Sequence, residues 1–362
     1  MTSQQDSIAR WIRSEIRSLS AYHVPDPGGG IKLDAMENPY TWPDEVAGAW
    51  LERLRRAELN RYPDPEARDL KRRLRRVMGF PDAAGLLLGN GSDELIQMIL
   101  LAAAGVERCI LAPEPTFVMY RMIAVFARMR YVGVSLQPDG FGLDMPAMRA
   151  AIAAHRPAVI FLAYPNNPTG NLFRHGELEE IIELAPGLVV VDEAYAAFAS
   201  HSFLERLDAR GNLLLLRTLS KMGLAGLRLG MLVGPPAWLA EIDKVRLPYN
   251  INVLTQISAD FALENHALLD RQTARIRSDR EVLYAELAAL PGIEAFPSQA
   301  NFILFRTPPG RADAVFEGLR ARRVLIKNLT GAGGLLRDCL RVTVGTPEEN
   351  HAFLAALRAC LA

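Results

Sequence analysis

The feature that most limits what this chain can fold into is a series of short apolar runs, each ending in polar residues. Leu86-Leu-Leu88, Cys109-Ile-Leu-Ala112, Ala158-Val-Ile-Phe-Leu-Ala163, Leu188-Val-Val-Val191, Leu213-Leu-Leu-Leu216 and Gly230-Met-Leu-Val233 show no apolar–polar alternation. Runs of this kind read as strands buried on both faces. Helical spacing predicts helices between or beside them, at about 44–57, 66–78, 92–104, 118–129, 145–155 and 177–184. The order implies an α/β fold with a mainly parallel sheet covered on both sides.

The ends of the chain read differently. Ile8, Trp11, Ile12 and Ile16 share one face of a predicted amphipathic helix over 7–18, and a proline- and glycine-rich segment, 22–30, follows. A long helical stretch over 253–290 leads to a smaller α+β unit. That unit has strands near 301–305 and 340–344 and helices near 311–321 and 347–360. The expected division is an N-terminal arm and small-domain segment over 1–44, a large domain over 45–260 and a small C-terminal domain over 261–362.

Composition narrows the function. Lysine plus arginine and aspartate plus glutamate number 41 each, so no global charge points to nucleic acid or an anionic membrane. Cys109, Cys339 and Cys360 form no close pair, which fits a reducing, cytoplasmic setting. The scattered histidines form no HxxxH pair, so no metal is expected. No apolar run is long enough for a membrane span.

The polar residues after the strands form a set. Lys221 closes Leu213-Leu-Leu-Leu-Arg-Thr-Leu-Ser-Lys221; a desolvated lysine titrates low and forms Schiff bases with aldehydes. Thr218, Ser220 and Arg228 suit a phosphate. Gly89-Asn-Gly-Ser-Asp-Glu94 opens a helix, so the backbone of Gly91, Ser92 and Asp93 can donate to an anion. Phe117 can stack on a ring, and Asn167 can donate to a phenolic oxygen. Asp192 follows three valines and needs a partner, such as a protonated ring nitrogen, with Tyr195 beside it. Taken singly, each has an ordinary reading: snorkelling lysine, helix cap, core aromatic or turn asparagine.

Asn-Pro-Thr-Gly170, Asp192-Glu-Ala-Tyr195, Ser220-Lys221 and Arg228 occur in the order seen in fold type I pyridoxal-phosphate aminotransferases, and the chain resembles that family over nearly its whole length. Leu33-Asp-Ala-Met-Glu-Asn-Pro-Tyr40, Asn60-Arg-Tyr-Pro-Asp-Pro65 and Pro248-Tyr-Asn-Ile-Asn-Val-Leu-Thr-Gln256 make it similar, more narrowly, to the histidinol-phosphate aminotransferases. Arg217-Thr-Leu-Ser-Lys221, Ala225-Gly-Leu-Arg228 and Cys339-Leu-Arg-Val-Thr-Val-Gly-Thr346 carry the same likeness.

The resemblance implies a large domain with a mainly parallel central sheet and a smaller α+β domain, binding pyridoxal 5'-phosphate. It makes Lys221 the Schiff-base lysine and Asp192 the ring-nitrogen partner. Asn167 and Tyr195 would hold the ring oxygen, and Phe117 would stack on the ring. Thr218, Ser220, Arg228 and the 91–93 backbone would hold the phosphate. Tyr62 would reach the cofactor phosphate of a neighbouring subunit, so a homodimer with shared active sites is implied. Arg341 would clamp the carboxylate of glutamate or 2-oxoglutarate, and Tyr22, Asn38 and Lys327 are further substrate candidates. The implied reaction joins L-glutamate and imidazole-acetol phosphate to L-histidinol phosphate and 2-oxoglutarate, in histidine biosynthesis. Open alternatives are an aromatic amino acid aminotransferase, a threonine-phosphate decarboxylase or a non-catalytic regulator of the same fold. Met36 stands where many relatives have asparagine, and Lys327 where many have arginine.

Overall fold

The computed structural model describes residues 4–361, except 22–25, 27 and 210. Helices α1 (Gln4–Trp11) and α2 (Ser14–Arg17) replace the single predicted N-terminal helix. Their apolar stripe faces outward: Trp11 is 75% exposed, and Ile8 and Ile12 are each 47% exposed. The short strand β1 (Ile31–Lys32) precedes α3 (Asp44–Leu54) and α4 (Arg68–Met78).

The predicted strands follow in turn. They are β2 (Gly85–Asn90), β3 (Cys109–Glu114), β4 (Arg130–Ser135), β5 (Val159–Ala163), β6 (Leu188–Asp192), β7 (Leu213–Thr218) and β8 (Leu229–Gly234). Helices α5 (Ser92–Ala103), α6 (Val118–Phe126), α7 (Met145–His155) and α8 (His175–Leu184) alternate with them. They form one seven-stranded sheet in the order β2-β8-β7-β6-β5-β3-β4. All neighbours are parallel except β8, which runs against both β2 and β7.

The all-apolar strand pattern follows from burial on both faces. Leu213 and Leu215 of β7 enter one core cluster, while Leu214 and Leu216 enter the cluster on the opposite face. Val189 and Val191 of β6 divide from Leu188 and Val190 in the same way. Each such side chain contributes roughly 1.5–3 kcal/mol relative to exposure.

Beyond α9 (Pro236–Asp243), the predicted long helix is two: α10 (Val253–Glu264) and α11 (His266–Ala288). Asn265 separates them, its amide donating to the Phe261 carbonyl at 2.9 Å. Strands β9 (Glu294–Ala295) and β10 (Phe302–Arg306) follow, then α12 (Ala312–Ala321), β11 (Val324–Leu325), β12 (Lys327–Asn328), β13 (Cys339–Thr343) and α13 (Pro347–Leu361). A four-stranded sheet has the order β12-β13-β10-β9, and β1 pairs in parallel with β11. A third core cluster, around Phe302, Phe305 and Phe353, lies there. No helix among the described residues is long and apolar enough to cross a membrane.

Candidate active site

Sheet topology delivers the polar residues to one edge. Parallel strands β3, β5 and β7 end there, preceding Phe117, Asn167 and Lys221 respectively, and β6 ends there on Asp192 itself. Strand β2 runs in the same sense, because it is antiparallel to β8 just as β7 is. Its end therefore brings Ser92 and Asp93 to the same edge. The reversed β8 begins at that edge, which places Arg228, immediately before it, beside them. This is where ligands bind in open α/β sheets.

A cavity of about 100 Å³ lies at that edge, lined by Ser92, Asp93, Phe117, Asn167, Asp192, Tyr195, Thr218, Ser220, Lys221 and Arg228. At its floor, Asp192 Oδ2 accepts the Tyr120 hydroxyl at 2.7 Å, and Oδ1 accepts the Ala194 N–H at 3.1 Å. Burial pushes this carboxyl up to about 6, against the pull of those two hydrogen bonds. The Lys221 amine lies 3.5 Å from the Ala35 carbonyl oxygen and 5.7 Å from the centre of the Tyr195 ring. Burial and, after it, the nearby Arg341 cation lower it to about 8. The Asn167 amide donates to the Tyr195 hydroxyl at 3.2 Å.

The other end of the cavity is built for an anion. The Thr218 hydroxyl lies 2.8 Å from that of Ser220, and Arg228 pairs with Asp93 at 3.3 Å. Helix α5 begins at Ser92 without a side-chain cap, leaving its first N–H groups for a ligand. Gly91 is required there: its φ is +85°, and a Cβ would lie 2.4 Å from the Arg228 guanidinium. One expectation changes, because the Gly91 N–H is already given to the Gly89 carbonyl at 2.8 Å. Gly91 supplies clearance and not a donor, which leaves donation to Ser92 and Asp93.

A wider cavity of about 920 Å³ shares Met36, Phe117 and Asn167 with the first. Arg341 and Lys327 line it from paired positions on β13 and β12. Arg341 is buried. It donates to the Asn167 side-chain oxygen and, at 3.1 Å, to the Asp34 carbonyl. Gly333 and Gly334 of the 331–334 loop line the same cavity.

Two candidates lie apart. Asn38 lines neither cavity; its amide donates to the Met222 carbonyl and to Gln272, both at 3.1 Å, tying the N-terminal segment behind Lys221. Tyr62 is 80% exposed and stacks on Tyr249 with ring centres 4.4 Å apart, away from this chain's cavity. Tyr22 lies outside the described residues. Tyr120, on α6, went unnoticed in the sequence as part of this arrangement, because the helix around it is apolar. The backbone of Met36, at φ +53°, is held by Thr343 and Asn301.

Comparison with known proteins agrees with this geometry. The description "Aminotransferase class I and II" matches residues 29–357. The chain belongs to that aminotransferase family. Histidinol-phosphate aminotransferase 2 of Nitrosococcus oceani is 61% identical over 98% of both chains. The enzyme of the same name from Cupriavidus pinatubonensis is 52% identical over 98% of this chain and 97% of its own. The structure of histidinol-phosphate aminotransferase from Sinorhizobium meliloti in complex with pyridoxal-5'-phosphate superposes with a TM-score of 0.86. It covers 98% of each chain at 24% identity, a likeness of fold.

An aminotransferase of this family uses pyridoxal phosphate, and the residues present fit that group. Asp192 is a buried carboxylate whose two hydrogen bonds come from neutral donors, which leaves it suited to a cationic ring nitrogen. The Gly91 cradle, the uncapped α5 and Arg228 suit its phosphate, and Lys221 suits its aldehyde.

Proposed function

We propose that this aminotransferase moves the amino group of L-glutamate to imidazole-acetol phosphate, giving L-histidinol phosphate and 2-oxoglutarate. It does so as a cytoplasmic homodimer in histidine biosynthesis. The observation that carries the substrate reading is the wide cavity with two cations, Arg341 and Lys327, on paired strands beside the lysine. One substrate brings a carboxylate near the reacting carbon, and the other brings a phosphate. The full-length relatives named histidinol-phosphate aminotransferase support the same substrates.

Bound pyridoxal phosphate supplies the electron sink for charge left on the substrate α-carbon. The chain's residues do the rest. Lys221 Nζ, lowered to about 8, is partly neutral near pH 7.5 and takes the α-proton, later returning it to the other reacting carbon. Ionised Asp192 keeps the ring nitrogen protonated. Asn167 and Tyr195 hold the ring oxygen, and Phe117 covers one face. Arg341 grips a carboxylate with its planar fork. Lys327 offers a compact charge suited to a phosphate.

Exposed Tyr62 is assigned to the neighbouring subunit's cofactor phosphate. Exposed Leu59, near it in sequence, exposed Tyr249, stacked on it, and exposed Leu247, near Tyr249 in sequence, give that face the apolar character of an interface. The test is turnover of histidinol phosphate with 2-oxoglutarate, compared with phenylalanine and threonine phosphate. Absence of histidinol phosphate turnover by cofactor-loaded protein refutes the substrate assignment. Full activity in a verified monomer refutes the shared site.

A further inference from the structure

Tyr120 reaches Asp192 from outside the strand-end set. It lies on α6, 72 residues earlier in the chain. Its ring is fully buried, stacked on Phe161 of β5 with centres 4.7 Å apart and planes 15° apart. Phe117 meets it edge-on, at 5.6 Å and 86°. Packing alone would be met by phenylalanine. A buried hydroxyl is costly unless it is hydrogen-bonded, and this one is spent on Asp192.

We propose that Tyr120 is a positioning residue for transamination: its hydroxyl fixes Asp192 Oδ2 while its ring fixes Phe117. One side chain thus sets both groups that meet the cofactor ring, one at its nitrogen and one at its face. The inference rests on Asp192 being the partner of the ring nitrogen.

The chemistry is consistent from every side of Asp192. A carboxylate has about four acceptor directions, and Tyr120 and Ala194 use two, leaving others for a cation in the cavity. Burial raises the Tyr120 phenol well above its ordinary range, so it stays a neutral donor. Asp93 from α5 and Glu193 beyond β6 both press Asp192 towards its neutral form. Tyr195, Lys221 and Arg228 line the same cavity. The Tyr120 hydroxyl works against burial and against those two carboxylates. Without it, Asp192 is protonated more of the time and holds the ring nitrogen's proton less firmly.

The test is Tyr120→Phe in the cofactor-loaded enzyme, which keeps the stacked ring. A less cationic ring draws less charge from the Lys221-linked nitrogen. The pH midpoint of the bound cofactor's visible absorbance is therefore expected to rise by about 0.5 unit or more. Cofactor affinity by equilibrium dialysis is expected to weaken about 10-fold, the scale of one charge-assisted hydrogen bond. The kcat should fall with the glutamate KM changed less than about two-fold, since the substrate clamp is untouched. In an Asp192→Asn background, Tyr120→Phe should add nothing to the loss of cofactor affinity. A folded variant with wild-type midpoint and affinity overturns the proposal, as does a fully additive loss in the double variant. If Tyr120→Phe does not fold, Tyr120→His, a flat ring with a donor, carries the test. A midpoint near wild type supports the proposal; one displaced as far as in Asp192→Asn overturns it. Wild-type protein that shows no visible band after reconstitution overturns the cofactor reading itself.

Discussion

Replacing Asp192 with asparagine should stabilise the cofactor-free protein while crippling it. Burial lifts this carboxyl from its ordinary 3.8 to about 6. Between those values the native state holds a proton that the unfolded chain has lost. Stability therefore falls as pH rises through that window and stays lowered above it. At 1.36 kcal/mol per pH unit, the ionised carboxylate costs the native state about 3 kcal/mol near pH 7.5. At pH 5, where native Asp192 is mostly protonated, the cost is about 1.5 kcal/mol. Asparagine removes this cost but forfeits about 1 kcal/mol of hydrogen bonding, since one acceptor oxygen replaces two. The expected net gain is about 2 kcal/mol at pH 7.5 and about 0.5 kcal/mol at pH 5. Urea unfolding of both cofactor-free proteins at the two pH values measures it. A difference independent of pH, or a variant less stable than wild type at pH 7.5, would refute the reasoning. The same substitution should weaken cofactor binding, because an amide cannot balance a cationic ring nitrogen. Wild-type protein tolerates a destabilising carboxylate that the cofactor repays.

In cofactor-free protein, Lys221 should react with an amine-directed reagent with a midpoint near pH 8, read by peptide mapping of the Lys221 peptide alone; a midpoint near the ordinary lysine value of about 10 would contradict its desolvation. Arg341→Lys keeps the charge but loses the fork, so the glutamate KM should rise about 10- to 100-fold in steady-state assays, and an unchanged value would remove Arg341 from the carboxylate site. Gly91→Ala places a methyl against the Arg228 guanidinium at a φ unfavourable to alanine. Dialysis should strip cofactor from that variant far faster than from wild type, and equal retention would show that the 89–91 turn does not support the phosphate end.

Much of the site was legible because its chemistry conflicts with its local setting. A carboxylate directly after Val189, Val190 and Val191 demands a partner, and a lysine after four buried leucines demands a reason. Those conflicts singled out Asp192 and Lys221, and the shared strand edge gathers them into one cavity. Tyr120 raised no conflict. It sits in an apolar helix face with Ile123 and Ala124, and only the fold reveals that its hydroxyl points at Asp192. The break at Asn265 escaped notice because apolar spacing continues across it, through Leu263 to Leu269. A single asparagine bonding back to a carbonyl does not disturb periodicity. The pairing of Ile31 with Val324 was invisible for another reason: a two-residue strand has no period, and its partner is distant in sequence. The apolar residues near the N-terminus were expected on one face of one helix; a stripe does not say what covers it, and the structure divides them between α1, α2 and the turn between and leaves Trp11 exposed.

The hydrogen bonds from Arg341 to the Asn167 side-chain oxygen and to the Asp34 carbonyl hold its guanidinium in place before any anion arrives. If Arg341 is the carboxylate clamp, as proposed, its fork is ordered in advance, and a bound substrate would share it with Asn167, whose amide donates to the Tyr195 hydroxyl. Occupancy of the wide cavity would then be felt, through that one side chain, in the smaller cavity beside Lys221.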